Sequence, residues 1–253
     1  MKIYLAIGSL STVPLFKEEG VERVLVSYYE VNGRADIKLP FEDVMLDSGA
    51  YSVEHTQKRV SLQAYGLWLE LYISNYPQIK NYANLDNLSD YQETERNQSY
   101  LESLGLCPIP VYHYGESTEV LDKLCNKYEY VRLGGMAIGQ MPSKNLKRFW
   151  EFVYSKYKDN KFHFFGVGTM FPFADHQPFS LDSASWSIYV KYGHILIYKD
   201  GLPSILELSE KEGYKTFLKI DELRRNNIRA FLDYEKLEWV NNKKGELNQP
   251  WLI

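Results

Sequence analysis

Residues 44–51 have the sequence Val44-Met45-Leu46-Asp47-Ser48-Gly49-Ala50-Tyr51, in which a short apolar run is followed at once by a polar turn with a glycine. The apolar run predicts a buried strand, and the turn predicts its end. The same order recurs along the chain, with longer segments of helical period between the recurrences. This alternation of strand and helix predicts an α/β fold with a parallel sheet, open or closed.

About eight such units are present. The predicted strands are residues 3–7, 23–29, 43–46, 81–85, 109–112, 130–133, 162–167 and 179–181, and the predicted helices include 61–75, 90–104, 118–127 and 145–158. Eight strands favour a TIM-type (β/α)8 barrel. Because such barrels usually take at least about 200 residues, we expect some of the helices to be short or missing.

The 253 residues are predicted to form one domain, since no linker, repeat or low-complexity segment interrupts them. The barrel core is expected over about residues 1–190, with a C-terminal elaboration over about 191–253. In that region, residues 188–198 predict a strand and residues 204–227 predict one or two charged helices.

Composition excludes several classes of protein. With 45% hydrophobic residues the chain is not disordered, and no apolar run reaches the length of a membrane span. The formal net charge is −4, so a nucleic acid would have to bind through a local basic patch. Cys107 and Cys125 provide neither a disulfide framework nor a zinc spacing. The N-terminal residues lack the features of a signal peptide, so we expect a cytoplasmic protein.

Polar residues and glycines follow the predicted strands, and in a parallel barrel these strand ends share the face that carries active sites. Taken singly, each of these residues has a simpler structural explanation: it could form a turn, cap a helix, be a structural histidine or place a charge in the first turn of a helix. Their coincidence on one predicted face favours a functional site. The residues concerned are Asp47, Ser48, Asp86, His113, Glu116, Gly134, Gly135, Phe165, Gly166 and Asp182.

Two carboxylates on opposite sides of a barrel are typical of chemistry at a glycosidic bond. Asp47 and Asp182 follow an early and a late strand, so one would attack or stabilise the sugar and the other would move the proton. Tyr51 and Phe165 lie beside them and would hold a flat heterocycle between two rings. The backbone of Gly134 and Gly135 would allow the edge of a base to approach closely.

Three segments resemble motifs of the tRNA-guanine transglycosylases, in the same order along the chain. Residues 47–52, Asp-Ser-Gly-Ala-Tyr-Ser, are similar to their Asp-Ser-Gly-Gly-Phe/Tyr-Gln. Residues 133–139, Leu-Gly-Gly-Met-Ala-Ile-Gly, are similar to their Ile-Gly-Gly-Leu-Ala-Val-Gly. Residues 165–169, Phe-Gly-Val-Gly-Thr, are similar to their Met-Gly-Val-Gly-Thr. The resemblance extends over about residues 41–190.

Two further segments are closer to the small phage-type relatives of that family. They are residues 108–116, Pro-Ile-Pro-Val-Tyr-His-Tyr-Gly-Glu, and residues 182–186, Asp-Ser-Ala-Ser-Trp. These relatives resemble DNA transglycosylases that exchange guanine for a 7-deazaguanine. The resemblance implies a TIM barrel, a pentosyltransferase that needs no cofactor, DNA as partner, and the host cytoplasm for a phage-encoded protein.

The matching motif positions imply a role for each residue. Asp182 would be the nucleophile that displaces guanine and forms a covalent deoxyribosyl-enzyme, and Asp47 would be the general acid/base. Asp86 would contact the base edge. The other substrate-binding positions are Ser48, Tyr51, His113, Gly134, Gly135, Phe165 and Gly166, with Tyr51 and Phe165 stacking on the base.

The chain also departs from the tRNA enzymes, which hold a structural zinc late in the sequence with three cysteines and a histidine. Cys107 and Cys125 are the only cysteines and neither is late, so we expect no zinc subdomain and no metal. This favours DNA over tRNA as the acceptor. A tRNA transglycosylase, a non-catalytic barrel that binds nucleic acid or a base, and a glycoside hydrolase remain alternatives, as do a homodimer and an accessory protein.

A basic rim is expected around the site, because phosphates must be neutralised. The predicted phosphate contacts are Lys58, Arg59, Lys144, Lys147 and Arg148, with Arg224, Arg225, Lys243 and Lys244 as further options. Charged helix surfaces also serve solubility alone, so each cluster has that simpler explanation.

Overall fold

The structure is a computed structural model that describes residues 1–50, 60–136, 143–166, 176–199, 202–207 and 220–236. Eight strands form one parallel sheet in the order β4-β3-β2-β1-β8-β7-β6-β5. Their bounds are β1 Lys2–Ala6, β2 Arg23–Ser27, β3 Asp43–Asp47, β4 Asn81–Tyr82, β5 Val111–His113, β6 Tyr130–Gly134, β7 Lys161–Phe164 and β8 Ser180–Ser183.

The sheet curls so that its two edge strands approach each other. Ala83 and Ile109 form a single parallel bridge just outside β4 and β5. The Ile109 N–H donates to Tyr82 O over 2.8 Å, and the Asn84 N–H donates to Ile109 O over 3.2 Å. The expected α/β architecture with a parallel, curled, eight-stranded sheet is therefore confirmed, but the ladder that would close a barrel is reduced to this bridge.

The helices connect the strands and are unequal in length. They are α1 Val13–Glu18, α2 Leu62–Asn75, α3 Tyr91–Ser103, α4 Thr118–Lys127, α5 Ser143–Lys156, α6 Ser185–Lys191 and α7 Ile220–Lys236. Residues 28–42 connect β2 to β3 without a helix, and α1 has only six residues. The expectation of short or missing helices is thus confirmed. None of the described helices is both long and apolar enough to cross a bilayer.

The inner face of the sheet is unusually polar, and this positions the site. Successive residues of a strand point to opposite faces, and paired residues of neighbouring parallel strands point to the same face. Val131 and Leu133 pack in the core beneath the helices, whereas Arg132 between them pairs in register with His163. Tyr4 pairs with Asp182. Strand register therefore places ionisable side chains inside the curl of the sheet.

The region after β8 differs from the sequence-based prediction in two places. Residues 188–191, predicted as the start of a strand over 188–198, belong to α6. The helix forms because Trp186 is buried against Phe16 and its indole N–H donates to Ala6 O over 3.0 Å. After Gly193, at φ +69°, strand β9 His194–Lys199 pairs antiparallel with β10 Leu202–Glu207. Residues 204–207 thus belong to a hairpin and not to a helix.

The C-terminal helix α7 is attached to the rest of the fold by a buried asparagine. Asn227 is fully buried; its Oδ1 accepts from the Leu196 N–H over 2.8 Å, and its Nδ2 donates to Trp186 O over 3.3 Å. At the other end of the helix, Glu235 accepts from the Ile3 N–H and from Arg23. Asn227 therefore joins α7, β9 and α6.

We expect Asn227→Ala to lower the free energy of unfolding by about 1–3 kcal/mol, because the buried Leu196 N–H and Trp186 carbonyl lose their partner. Urea unfolding followed by circular dichroism measures this change. The control is Asn226→Ala, which removes the same side chain from an exposed position where water replaces its bond to Leu196 O. Equal losses in the two variants would contradict the role assigned to Asn227.

Candidate active site

A cavity of about 310 Å³ opens at the carboxyl ends of the strands, a volume within the roughly 300–1,000 Å³ typical of ligand pockets. Both predicted catalytic carboxylates border it. The predicted site residues that line it are Asp47, Asp86, Gly134, Gly135, Phe165, Gly166 and Asp182. The strand ends thus bring most of the candidate residues together.

Asp47 ends β3 on the inner face of the sheet, with 14% of its side chain exposed. Its Oδ1 accepts from Arg132 Nη1 over 3.3 Å, and its Oδ2 accepts from the Gly49 N–H over 2.9 Å. Gly49 has φ +79°, and a Cβ there would come within 2.6 Å of Tyr29. Glycine is therefore required at this turn, which aims a backbone donor at the carboxylate.

The environment adjusts the proton affinity of Asp47. Burial raises its pKa to about 6, with the nearby charges of Asp86 and Asp182 acting in the same direction. The Arg132 guanidinium and the Gly49 N–H oppose this rise. A carboxyl group with a pKa near neutrality can both give and take a proton at physiological pH, which suits a general acid/base.

Arg132 is a site residue that the sequence-based argument missed. It is fully buried, and its guanidinium carbon lies 4.7 Å from the centroid of the Phe165 ring. Its Nε and Nη2 have no hydrogen-bond partner within the described part of the chain. One face of Phe165 is thus supported by a cation while the ring borders the cavity. Arg132 lies in the middle of a predicted buried strand, and the sequence does not indicate that it points toward the inner face. Only strand register reveals this.

Asp182 lies in β8 and is held through one of its two carboxylate oxygens. Its Oδ1 contacts His163 Nε2 at 3.2 Å and accepts from the Gly166 N–H over 3.1 Å. His163 is fully buried, and burial lowers its pKa to about 4 even though the bond to Asp182 acts the other way. The ring is therefore neutral at physiological pH. His163 is the second site residue that was missed.

Asp86 belongs to a second hydrogen-bonded cluster that borders the cavity. His113 at the end of β5 contacts Asp86 Oδ2 through Nε2 at 2.8 Å and Glu116 Oε1 through Nδ1 at 3.1 Å. Asp86 Oδ1 also accepts from the Ser48 hydroxyl over 3.3 Å. Burial alone would lower the pKa of His113, but its bonds to the two carboxylates outweigh this and raise the pKa to about 9. The ring is thus a cation between two anions.

This geometry changes the roles expected for His113 and Ser48. Both ring nitrogens of His113 are occupied by carboxylates, so the ring acts on a ligand through Asp86 and does not contact it with a free donor. The Ser48 hydroxyl likewise donates to Asp86. Both residues orient Asp86, which itself borders the cavity.

The glycine pair after β6 provides close backbone approach. Gly135 has φ +78°, and a Cβ on Gly134 would come within 3.0 Å of the His113 ring. A side chain at Gly134 would therefore require the His113 ring to shift by a few tenths of an ångström, and the backbone conformation disfavours one at Gly135. Both residues line the cavity, and the Gly134 carbonyl accepts from the Tyr114 N–H over 3.0 Å.

The predicted nucleic-acid contacts are only partly described. Outside the described residues lie Lys58, Arg59, Lys243, Lys244 and the side chain of Lys144. The predicted base-stacking residue Tyr51 also lies outside them. Lys147 and Arg148 are exposed on α5, with Lys147 3.8 Å from Glu151. Arg225 binds Glu18 and Glu19, and Arg224 binds Asp221, so these two arginines serve the packing of α7 or its own surface. Among the described residues no group of three or more His, Cys, Asp or Glu side chains is arranged to hold a metal ion.

We expect Arg132→Gln to raise the pKa of Asp47 above its value of about 6, because the opposing positive charge is lost. The rise should be about 1–3 units, as for a carboxylate that loses a neighbouring cation. Carbon-13 NMR titration of the aspartate carboxyl groups measures it. The control Arg148→Gln removes the same charge from the surface and should leave this titration unchanged. An Asp47 pKa that stays or falls in Arg132→Gln contradicts the ion pair.

The charged ring of His113 also predicts how stability depends on pH. Its pKa is about 9 in the folded chain, against 6.5 for an unperturbed histidine. The free energy of folding that the charged His113 ring contributes is fully present below about pH 6.5 and is lost as the pH rises through about 9. Urea midpoints between pH 6 and 9 should therefore fall more steeply for the wild type than for His113→Gln. The exposed His176→Gln should keep the wild-type slope, and parallel wild-type and His113→Gln curves would disprove the charged ring.

No protein-family model matches this chain, and no curated protein is significantly similar to it.

Proposed function

We propose that the protein is a transglycosylase that replaces guanine in DNA with a 7-deazaguanine derivative, on a TIM-type (β/α)8 barrel without a zinc subdomain. The observation that carries this proposal is that Asp47 and Asp182 border one cavity together with the ring of Phe165. This arrangement offers a nucleophile, a proton donor of suitable pKa and a stacking surface. These are the groups that exchange at a glycosidic bond requires.

In the first step, the target guanine leaves the DNA stack and lies against Phe165, which costs a few kcal/mol of unstacking that stacking in the cavity offsets. A carboxylate oxygen of Asp182 forms a bond to C1′ of the deoxyribose. The bond from C1′ to N9 breaks, and its electron pair leaves with guanine. Protonated Asp47 gives its proton to the departing base.

In the second step, the reaction runs in reverse with a different base. Asp47, now ionised, takes the N9 proton of the incoming 7-deazaguanine. N9 then forms a bond to C1′, and the ester with Asp182 breaks to regenerate the free carboxylate. No oxidant, reductant or metal enters this sequence, because one leaving group is exchanged for another.

Asp86 supports the choice of a guanine-like base. Ser48 donates to Oδ1 of Asp86 and the positively charged His113 contacts Oδ2, both from the protein side. An ionised carboxylate only accepts hydrogen bonds, so its remaining lone pairs suit the adjacent N1–H and 2-amino donors of guanine and of 7-deazaguanines. The Gly134 and Gly135 peptide groups approach the same space.

DNA is the proposed acceptor. The exposed Lys147 and Arg148 on α5 are two of the proposed phosphate contacts, with Lys58, Arg59 and Lys144 completing the rim, and the motif resemblance favours a cytoplasmic DNA-modifying enzyme. A tRNA acceptor uses the same chemistry, so the experiment includes both substrates. A barrel that only binds nucleic acid or a base predicts no reaction with either.

The test is incubation of the purified protein with radiolabelled guanine and, in separate reactions, duplex DNA or tRNA. We expect label to enter DNA and not tRNA. Asp182→Asn should reduce incorporation by at least about 1,000-fold, as expected for removal of a nucleophile. The control Asp122→Asn changes a half-buried aspartate that does not line the cavity, pairs with Lys156 and accepts from the Tyr157 hydroxyl, and it should retain full activity.

Each other outcome has a definite meaning. Label in tRNA alone moves the protein to the tRNA branch, and label in neither substrate contradicts base exchange with guanine. Full activity of Asp182→Asn would show that the nucleophile has been wrongly assigned. Net release of guanine without incorporation would indicate hydrolysis instead of exchange.

A further inference from the structure

A hydrogen-bonded chain of buried side chains leads from Asp182 into the interior of the sheet. His163 Nε2 contacts Asp182 Oδ1 at 3.2 Å, and His163 Nδ1 contacts the Ser180 hydroxyl at 2.7 Å. The Ser180 hydroxyl contacts Tyr130 Oη at 2.5 Å. His163 and Ser180 are completely buried. Three strands thus contribute to a continuous line of four side chains, with Tyr130 from β6, His163 from β7, and Ser180 and Asp182 from β8.

The donor and the acceptor of each hydrogen bond in this line can be assigned by starting from the Asp182 carboxylate. An ionised Asp182 carboxylate has no proton to give, so His163 Nε2 must carry the hydrogen. A neutral imidazole has only that one hydrogen, so Nδ1 accepts, and the Ser180 hydroxyl must donate to it. Since the single Ser180 hydrogen is then used, Tyr130 donates to Ser180. Each member of the chain has one orientation.

The chain also determines which oxygen of Asp182 is free. Oδ1 accepts from both His163 and the Gly166 N–H, and the structure records no such donor to Oδ2 among the described residues. The His163 ring is held laterally by edge contacts with Tyr4 and Phe165, with centroid distances of 6.0 and 5.2 Å. The carboxylate therefore has little freedom to exchange its two oxygens.

We propose that His163, supported by Ser180 and Tyr130, is a positioning residue that holds Asp182 by Oδ1 so that Oδ2 is the oxygen that attacks the sugar. This inference depends on the proposed function, because it needs Asp182 as nucleophile. It adds residues that lie beneath the cavity and do not contact the base. Holding Oδ1 leaves Oδ2 oriented toward the reacting carbon before the base arrives.

A neutral partner has a chemical advantage over a charged one here. A cation at Oδ1 would withdraw electron density from the carboxylate before attack and would weaken it as a nucleophile. A neutral N–H donor orients the group and still stabilises the carboxylate when the ester breaks in the second step. The pKa of His163, lowered by burial to about 4, agrees with this arrangement.

The kinetic test compares two substitutions at the same position. His163→Phe keeps a ring of similar size and removes the donor, whereas His163→Gln keeps a terminal N–H near the position of Nε2. We expect His163→Phe to lower kcat by about 10- to 100-fold, as for loss of one hydrogen bond to a charged group, with KM for DNA unchanged. His163→Gln should restore at least part of kcat. Ser180→Ala should show a smaller loss.

A spectroscopic test on the unmodified protein does not depend on activity. Nitrogen-15 NMR of labelled histidines distinguishes the two neutral tautomers and the charged ring, and the signal of His163 is assigned by its loss in His163→Gln. We expect a neutral ring with its hydrogen on Nε2 at pH 7. A hydrogen on Nδ1, or a charged ring, overturns the proposal whatever the kinetics show.

The two proposals fail in different ways. If the wild type exchanges guanine and His163→Phe is fully active, or loses only affinity for DNA, the positioning role is overturned and the proposed function stands. If the wild type exchanges no base, both are overturned. The positioning role is supported if the wild type exchanges guanine, His163→Phe loses kcat and His163→Gln recovers part of it. The neutral ring must also carry its hydrogen on Nε2.

Discussion

Arg132 is completely buried on the inner face of the sheet, and its guanidinium pairs with Asp47, which borders the cavity. Burying an unpaired guanidinium costs several kcal/mol, so such a group persists only where partners compensate it. Here Asp47 supplies the opposite charge and Phe165 a ring face. The same ion pair prevents burial from raising the pKa of Asp47 further. Proton transfer and base stacking in the proposed mechanism thus share one structural cause.

Three carboxylates border the cavity, and each of them contacts a different basic side chain. These partners give the three carboxylates different chemical properties. Asp47 faces a permanent cation, Asp86 a histidine whose pKa is raised to about 9, and Asp182 a histidine whose pKa is lowered to about 4. Carboxylates crowded into one space would otherwise compete for protons. The partners differentiate them into an acid/base, a base-edge acceptor and a nucleophile in the mechanism we propose.

Much of the site could be predicted from sequence because its residues follow strands. Asp47 and Phe165 come directly after apolar runs, so a parallel sheet alone brings them to one edge. Arg132 and His163 lie within such runs, and only strand register reveals that they point inward. The prediction of a strand from residue 188 is wrong for residues 188–191 of α6, because burial of Trp186 decides the conformation there and local periodicity does not record that contact.

The central claim is that Asp182 forms a covalent bond to the sugar. The most direct measurement is to mix the protein with guanine-containing duplex DNA in the absence of an incoming base, denature it rapidly, and map the modified peptide by mass spectrometry. If Asp182 is the nucleophile, the peptide 180–186 carries a deoxyribosyl ester at Asp182, and this ester is absent from Asp182→Asn. An adduct on Asp47, or one that persists in Asp182→Asn, would contradict this assignment.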